Sequence, residues 1–488
     1  MSTLRLGTLE LSRALLHAGN PLPPLARVGD AHADVDATAA DAEMKRNLAY
    51  GRPRSLLPYT MLDGYGRDRQ PCTVDTVVLE NEQLRATFLP WLGGRLWSLV
   101  HRPTDRELLY RNRVVQPANF ALRDAWCSGG VEWNIATTGH SPLTSEPMHA
   151  ARINLGDGTP ALRLYGWERM RGVAFHVDAW LPDSSPVLLV RVGIVNPGAE
   201  ETPMYWWSNI AVPEVSGVRV LAPAEQAYHF SYDKRLRLVD VPRPSGTSGI
   251  AGADITYPAR APQPGDYFFE CRQASRPWIA AVDADGHGLA QVSTAALRGR
   301  KLFVWGRAAG GRHWQDFLSG GHSDQEYCEI QAGLARTQLE HLPMPAGARW
   351  SWVEAYGPLA LDPAVAHGDW RAARRAVEEA LTWLGSCDRI DRVLADAEDW
   401  ADQEPDDTLF LGSGWGALER HRRAATDEPE LGLTGMPFPD ESLTTAQRPW
   451  LELLRTGRVP EVPPELPPAS YVAGPDWLNL LEAAPDGW

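Results

Sequence analysis

Tyr327-Cys328-Glu329-Ile330-Gln331-Ala332-Gly333 alternates apolar and polar side chains with the two-residue period of a strand. Cys328, Ile330 and Ala332 share one face, which predicts a core. Tyr327, Glu329 and Gln331 share the other, placing a phenol, a carboxylate and an amide in one row. On a rigid strand such a row suits holding a polar, neutral ligand and moving a proton. The plainer reading is a half-exposed strand with a solvated Glu. The flanks weigh against it. Leu302-Phe303-Val304-Trp305-Gly306 and Arg312-His313-Trp314-Gln315 precede the stretch. Trp350-Ser351-Trp352-Val353-Glu354-Ala355-Tyr356 follows, with Trp350, Trp352, Glu354 and Tyr356 on one face. Solvated faces are rarely this rich in Trp.

Similar short runs, broken by Gly, Pro, Asn and Asp, extend outward from here. Val77-Val78-Leu79-Glu80-Asn81 and Leu84-Arg85-Ala86-Thr87-Phe88 are early examples; 161–165, 174–180, 187–195, 204–212, 278–282 and 288–292 continue the pattern. Many short strands with turns between them predict a large antiparallel sandwich. The 488 residues exceed one ordinary core, so several folding units are expected. The predicted division is an N-terminal extension over 1–70 packing on the core, the β-rich body over 71–360, and a helical C-terminal region with a Pro-rich docking tail over 361–488. Within the extension, residues 9–16 read as a short helix. Beyond Pro358, Trp370, Ala373, Val377, Leu381 and Leu384 form one helical stripe, and 390–400 reads as a second helix. These helices are expected to cover one side of the cleft or to mediate contacts in a homo-oligomer.

Composition narrows the function. Hydrophobic residues make up 44% and charged residues 22%, the balance of a globular protein, and the net charge is −15. That sign argues against nucleic acid, which needs a basic surface, and against anionic membranes. Trp numbers 20, above the 13 Tyr and 10 Phe. An indole offers a flat apolar face and one N–H donor, the complement of a sugar's C–H face and hydroxyl rim. Cys72, Cys127, Cys271, Cys328 and Cys387 are odd in number and far apart, without CxxC. They predict reduced thiols in a cytoplasmic protein rather than a disulfide frame or a zinc site. The N-terminus lacks the features of a signal peptide, and no apolar run reaches membrane-spanning length. HxH, HExxH, EF-hand and serine-hydrolase patterns are absent, and no cofactor is expected.

A second chemical region is Trp126-Cys127-Ser128-Gly129-Gly130-Val131-Glu132-Trp133-Asn134, followed by Gly139-His140-Ser141. Paired Gly permits close backbone approach. Glu132, Asn134 and His140 are expected to converge, against the plain alternative of a capped turn with a surface His. Two carboxylates remote in sequence, Glu132 and Glu329, suit acid/base work at an anomeric centre. Glu354 is a third candidate, or else a buried partner of an Arg. Arg95, Arg312 and Arg336 offer contacts to hydroxyls or carboxylates.

The chain from 77 to 356 resembles the galactose mutarotase superfamily, and more closely the DUF5107 group within it, which is often joined to helical repeats. Gly93-Gly94-Arg95-Leu96-Trp97-Ser98-Leu99 is similar to an early Gly-x-x-x-x-Ser-Leu strand. Gly129-Gly130-Val131-Glu132 with Gly139-His140 resembles a Gly-Gly-Ile-Pro…His-Gly region. Asn196-Pro197-Gly198 resembles the end of a long central strand, and Tyr327-Cys328-Glu329-Ile330-Gln331 resembles a Cys-Leu-Glu-Thr-Gln strand. The resemblance implies a β-supersandwich with a sugar site in its concave face and Glu329 as catalytic base. One departure stands out: Trp206 or Trp207 occupies the place of the family's acidic His, while Asn209 matches its Asn.

The expected function is that of a glycoside hydrolase acting on a neutral oligosaccharide, with Glu329 as base and Glu132 as acid. Asn134, His140, Asn209, Gln331 and Arg312 are expected to hold hydroxyls, with Glu354 nearby, and Trp207, Trp305 and Trp314 to stack on sugar rings. An aldose 1-epimerase with His140 as acid and a non-catalytic carbohydrate-binding protein are the alternatives.

Overall fold

Alternation along the strands produces two apolar faces that can only be buried against each other. In the computed structural model this yields two large sheets with one core between them. The structure describes all residues except 25–33, 246–249, 273, 275, 323–325, 382–387, 461–464 and 485–488. Among the described residues one sheet has thirteen strands and the other nine. Val131, Ile210, Leu302 and Ile330 from the first meet Phe175, Val177, Val192 and Val353 from the second, all buried.

The centre of the larger sheet runs, in spatial order, Gly265–Phe269, Gly299–Val304, Tyr327–Gly333, Trp206–Pro213, Val131–Ile135. Each adjacent pair is antiparallel. Glu132 lies opposite Asn209, Asn209 opposite Gln331, and Gln331 opposite Lys301. Because their neighbours Val131, Ile210, Ile330 and Leu302 point into the core, these four project from the outer face.

The N-terminal region differs from the expectation. Residues 9–16 are not helical; Thr3–Leu16 is one strand, paired antiparallel along Tyr65–Glu80, with Leu4 opposite Leu79 and Leu9 opposite Val74. Leu9 and Leu11 pack with Val74, Leu89 and Trp97, so a long partner strand outweighed local helix preference. The helix Ala42–Ala49, capped by the Asp41 side chain on Met44 N, lies over the outer face.

The predicted C-terminal helices appear as Trp370–Ala380 and Arg389–Glu398. Trp370, Ala373, Val377 and Leu381 are buried as their spacing requires. Leu384 and Cys387 lie outside the described residues; the other four cysteines are free thiols. Asp407–Phe410 adds an edge strand to the nine-stranded sheet. Ala417, Leu433, Met436 and Phe438 then cover the outer face of that sheet at Ala151, Tyr165, Ala174 and Val195. The described part of this region therefore shields the side of the sandwich away from Glu132 and Glu329. No helix among the described residues is long and apolar enough to cross a membrane.

Candidate active site

The outer row Glu132, Asn209, Gln331, Lys301 is backed, two residues along, by Ala211, Glu329, Phe303 and Asp266. A directional hydrogen-bond chain runs through these rows. Gln331 Nε2 donates to Glu329 Oε2 at 2.6 Å. Gln338 Nε2 donates to Gln331 Oε1 and, at 3.2 Å, to Asn209 Oδ1. Lys301 Nζ donates to Gln338 Oε1 and pairs with Asp266 at 2.8 Å. The chain thus starts at an ammonium that only donates and ends at a carboxylate, with two amides oriented between them. Glu329 is 6% exposed. Burial raises its pKa above the ordinary carboxylate value, Glu132 adds to the rise, and His140, Lys301 and Gln331 oppose it.

Glu132 is held differently. Its Oε2 accepts from His140 Nδ1 at 2.9 Å and from Trp126 Nε1 at 3.1 Å. Its Oε1 accepts from the Thr144 hydroxyl and faces Arg95 Nη2 at 3.5 Å. Burial alone would raise the Glu132 pKa, but His140, Arg95 and the hydrogen bonds pull it well below the usual carboxylate range. Gly129 and Gly130 both have positive φ, at 106° and 69°. A Cβ on Gly130 would come within 2.3 Å of Leu96 O, so the strand carrying Glu132 can pass here only without a side chain. An ionised carboxylate only accepts, so it fixes the proton of His140 on Nδ1 and leaves Nε2 as the nitrogen free to exchange one. The His140 ring sits 4.6 Å from that of Trp126 and its side chain is 22% exposed.

The other expected residues divide. Asn209 and Gln331 lie in the outer row beside Glu329 and Glu132. Asn134 lies next to them but is 0% exposed, and its Oδ1 accepts from Ser141 N at 2.7 Å. It pins the loop that carries His140 rather than meeting a ligand. Trp305 and Trp314 join an aromatic cluster with Phe120, Trp126 and Tyr327. Arg312 is exposed on the helix Ala309–Leu318, outside the hydrogen-bond chain.

Two expectations are corrected. Trp207 offers no stacking face: it is 0% exposed, with Met44, Leu48, Phe268 and Leu339 packed around it. Its indole fills the slots left by Gly333 and Gly299, where added Cβ atoms would lie 2.2 and 2.6 Å from the ring. Glu354 is not in the site at all. It lies inside the sandwich, 0% exposed, accepting from Ser208 Oγ at 2.7 Å, Tyr356 OH at 2.7 Å and Gln291 Nε2 at 3.0 Å. Arg95 proves to be the partner of Glu132, and Arg336 pairs with Asp41 and Glu270 at 2.7 and 3.0 Å.

Lys301, Gln338 and Thr144 were not foreseen. Lys301 alternates with Leu302 in Gly299–Val304, a signal available in the sequence. Gln338 sits in the turn after the Glu329 strand, where no period marks it.

A TPR-domain containing protein from Parabacteroides distasonis has 21% identity to this chain and a TM-score of 0.61; the match covers 100% of this chain and 80% of the other. That likeness shows the shared fold. A galactose mutarotase-like protein from Clostridium acetobutylicum is 9% identical over 59% of this chain and 96% of its own, with a TM-score of 0.42. The model of a family described as a domain of unknown function, DUF5107, matches residues 52–346. That span is more than half of the 488 residues, and the chain belongs to the DUF5107 family.

Proposed function

We propose that the protein is a carbohydrate-active enzyme that interconverts the anomers of a reducing sugar, with Glu329 as base and His140 as acid. The observation that carries this reading is the saturated carboxylate of Glu132, which has donors on both oxygens and holds His140 Nδ1 at 2.9 Å. A carboxylate so held and so strongly ionised does not supply a proton; it orients an imidazole that does. Glu329, with a raised pKa, is a stronger base than an ordinary carboxylate and has one oxygen fixed by Gln331. In the proposed step Glu329 takes the proton of the anomeric hydroxyl, O1 becomes a carbonyl oxygen, the C1–O5 bond breaks, and O5 receives the Nε2 proton of a doubly protonated His140, which is left neutral with its remaining proton on Nδ1 facing Glu132. Rotation about C1–C2 and reversal of the step on the other face give the second anomer. Asn209, 6% exposed on the outer row, suits a remaining hydroxyl, while Gln331 is occupied in orienting Glu329.

Hydrolysis of a neutral oligosaccharide, the first expectation from sequence, would need the proton on Glu132, against the environment described, or on His140. Polarimetry of freshly dissolved aldoses tests the proposal. Wild type is expected to accelerate anomer exchange, and Glu329→Gln and His140→Ala each to lower turnover by about 10². No acceleration, together with new reducing ends from α- or β-linked disaccharides, would favour hydrolysis instead. Binding without turnover that survives Glu329→Gln would favour a carbohydrate-binding protein.

A further inference from the structure

The two ends of the outer face are unlike. At one end the helix Ala42–Ala49 seals Trp207 and Phe268 beneath Met44 and Leu48. It is tied down by Glu43 to Arg298 at 2.8 Å, Asn47 to Glu340 at 3.0 Å and Asp41 to Arg336 at 2.7 Å. In that direction the outer face is closed by packed side chains rather than open. At the other end the acid/base pair opens onto a continuous run of aromatic rings. His140 lies 4.6 Å from Trp126, Trp126 lies 5.8 Å from Phe120, and Phe120 reaches Trp314 at 4.2 Å and Trp305 at 5.6 Å. Trp305 is 4.9 Å from Phe303, which is the cross-strand neighbour of Glu329. The rings thus start at the proposed acid and end beside the proposed base.

Phe120 does not behave as a core residue. It is 37% exposed although three Trp rings stand within 6 Å of it, and Trp314 is half-buried. A surface of this kind takes a flat face with apolar C–H groups, and a pyranose ring has one. We infer that the second ring of a di- or oligosaccharide lies on Phe120 and Trp314, so that the substrate is the reducing end of a longer saccharide rather than a free monosaccharide. The reacting ring keeps O1 free, and the second ring is joined through its anomeric carbon to one of the reacting ring's other hydroxyls. The identity of the reacting ring rests on the anomer-exchange reading above.

The test compares sugars that share a reducing unit: glucose against lactose, maltose and cellobiose, and N-acetylglucosamine against its β1,4-linked dimer. In at least one set kcat/KM for anomer exchange is expected to be about tenfold higher for the disaccharide. That ratio should fall severalfold in Phe120→Ala and in Trp314→Ala and be kept in Phe120→Tyr. Ratios near one in every set, or ratios untouched by both alanine variants, would overturn the inference. If no sugar is turned over, the anomer-exchange reading falls and calorimetry on the wild type decides the inference separately. Disaccharide binding about tenfold tighter than that of its monosaccharide, and weakened in Phe120→Ala, upholds the ring site. Equal binding or none in every set removes it.

Discussion

Glu132 and Glu329 show how two like side chains on one face come to hold opposite properties. Glu132 is surrounded by donors and pulled down; Glu329 is buried beside another carboxylate and pushed up. Because Glu329 must be ionised to act as a base, its raised pKa predicts that the acid limb of the kcat/KM profile lies above the ordinary carboxylate range. Lys301 lowers the Glu329 pKa, so Lys301→Met should move that limb to still higher pH, which a pH–rate profile measures. Glu132→Gln should cost about 3–5 kcal/mol, because it leaves Arg95, itself 2% exposed, without its carboxylate. The folded pKa of Glu132 is depressed, so this contribution is present above the unfolded carboxylate pKa of about 4.3 and is lost as pH falls toward the folded value. Urea titrations at pH 7 and at pH 4 should therefore show the gap between wild type and variant narrowing. Glu214 behaves in the opposite sense. Burial and then Glu326 push it up to about 8, with Arg307 opposing. Its raised pKa favours folding below the unfolded value, an advantage lost as pH rises to about 8. Glu214→Gln is expected to stabilise the protein at pH 9 more than at pH 6, as chemical denaturation at the two pH values would show.

The strand Tyr327–Gly333 carries both the proposed base and the slot that hides Trp207. Gly333→Ala would place a Cβ 2.2 Å from the indole, and is expected to cost about 1–3 kcal/mol through overpacking, seen as a lowered denaturation midpoint. The same packing gives the Trp207 indole a structural place. It fills a gap between strands and anchors the helix Ala42–Ala49. That helix depends on Asp41, which caps it and pairs with Arg336. Read locally, the N-terminal leucines allow a helix; the ladder along Tyr65–Glu80 makes them a strand. A short segment cannot reveal which distant strand will supply its hydrogen bonds.

At the level of the whole molecule the sandwich has two outer faces with different fates. The larger sheet presents polar and aromatic side chains around Glu329; the smaller is covered by the C-terminal region. Beneath that cover Arg163 and Asp178 form a pair at 2.6 Å with neither side chain exposed, and His176 adds a contact at 2.9 Å. Removal of residues 405–488 would expose Tyr165, Ala174 and Val195 and admit water to the pair. The truncated chain is expected to aggregate in light-scattering measurements under conditions where Glu329→Gln stays dispersed.

Alternation, turn residues and the Trp-rich flanks were enough to read a large antiparallel sandwich and to place Glu329 and Gln331 together on one strand face, because a strand's period is local. The sequence also brought Glu132 and His140 into one region, since both lie within a single strand and the loop that follows it. Which face of each strand looks inward is not local. Glu329 in Tyr-x-Glu-x-Gln and Glu354 in Trp-x-Glu-x-Tyr have nearly the same pattern, yet one lies on the outer row and the other hydrogen-bonds Ser208 inside the sandwich. Likewise an indole on a strand looks the same in sequence whether it faces a ligand or a helix. Those choices, and the ionised state of Glu132 favoured by Arg95 and His140 closing on it, came from the stacking of sheets and the return of distant segments. They depend on burial and on charges brought close in space, neither of which any short stretch of chain specifies by itself.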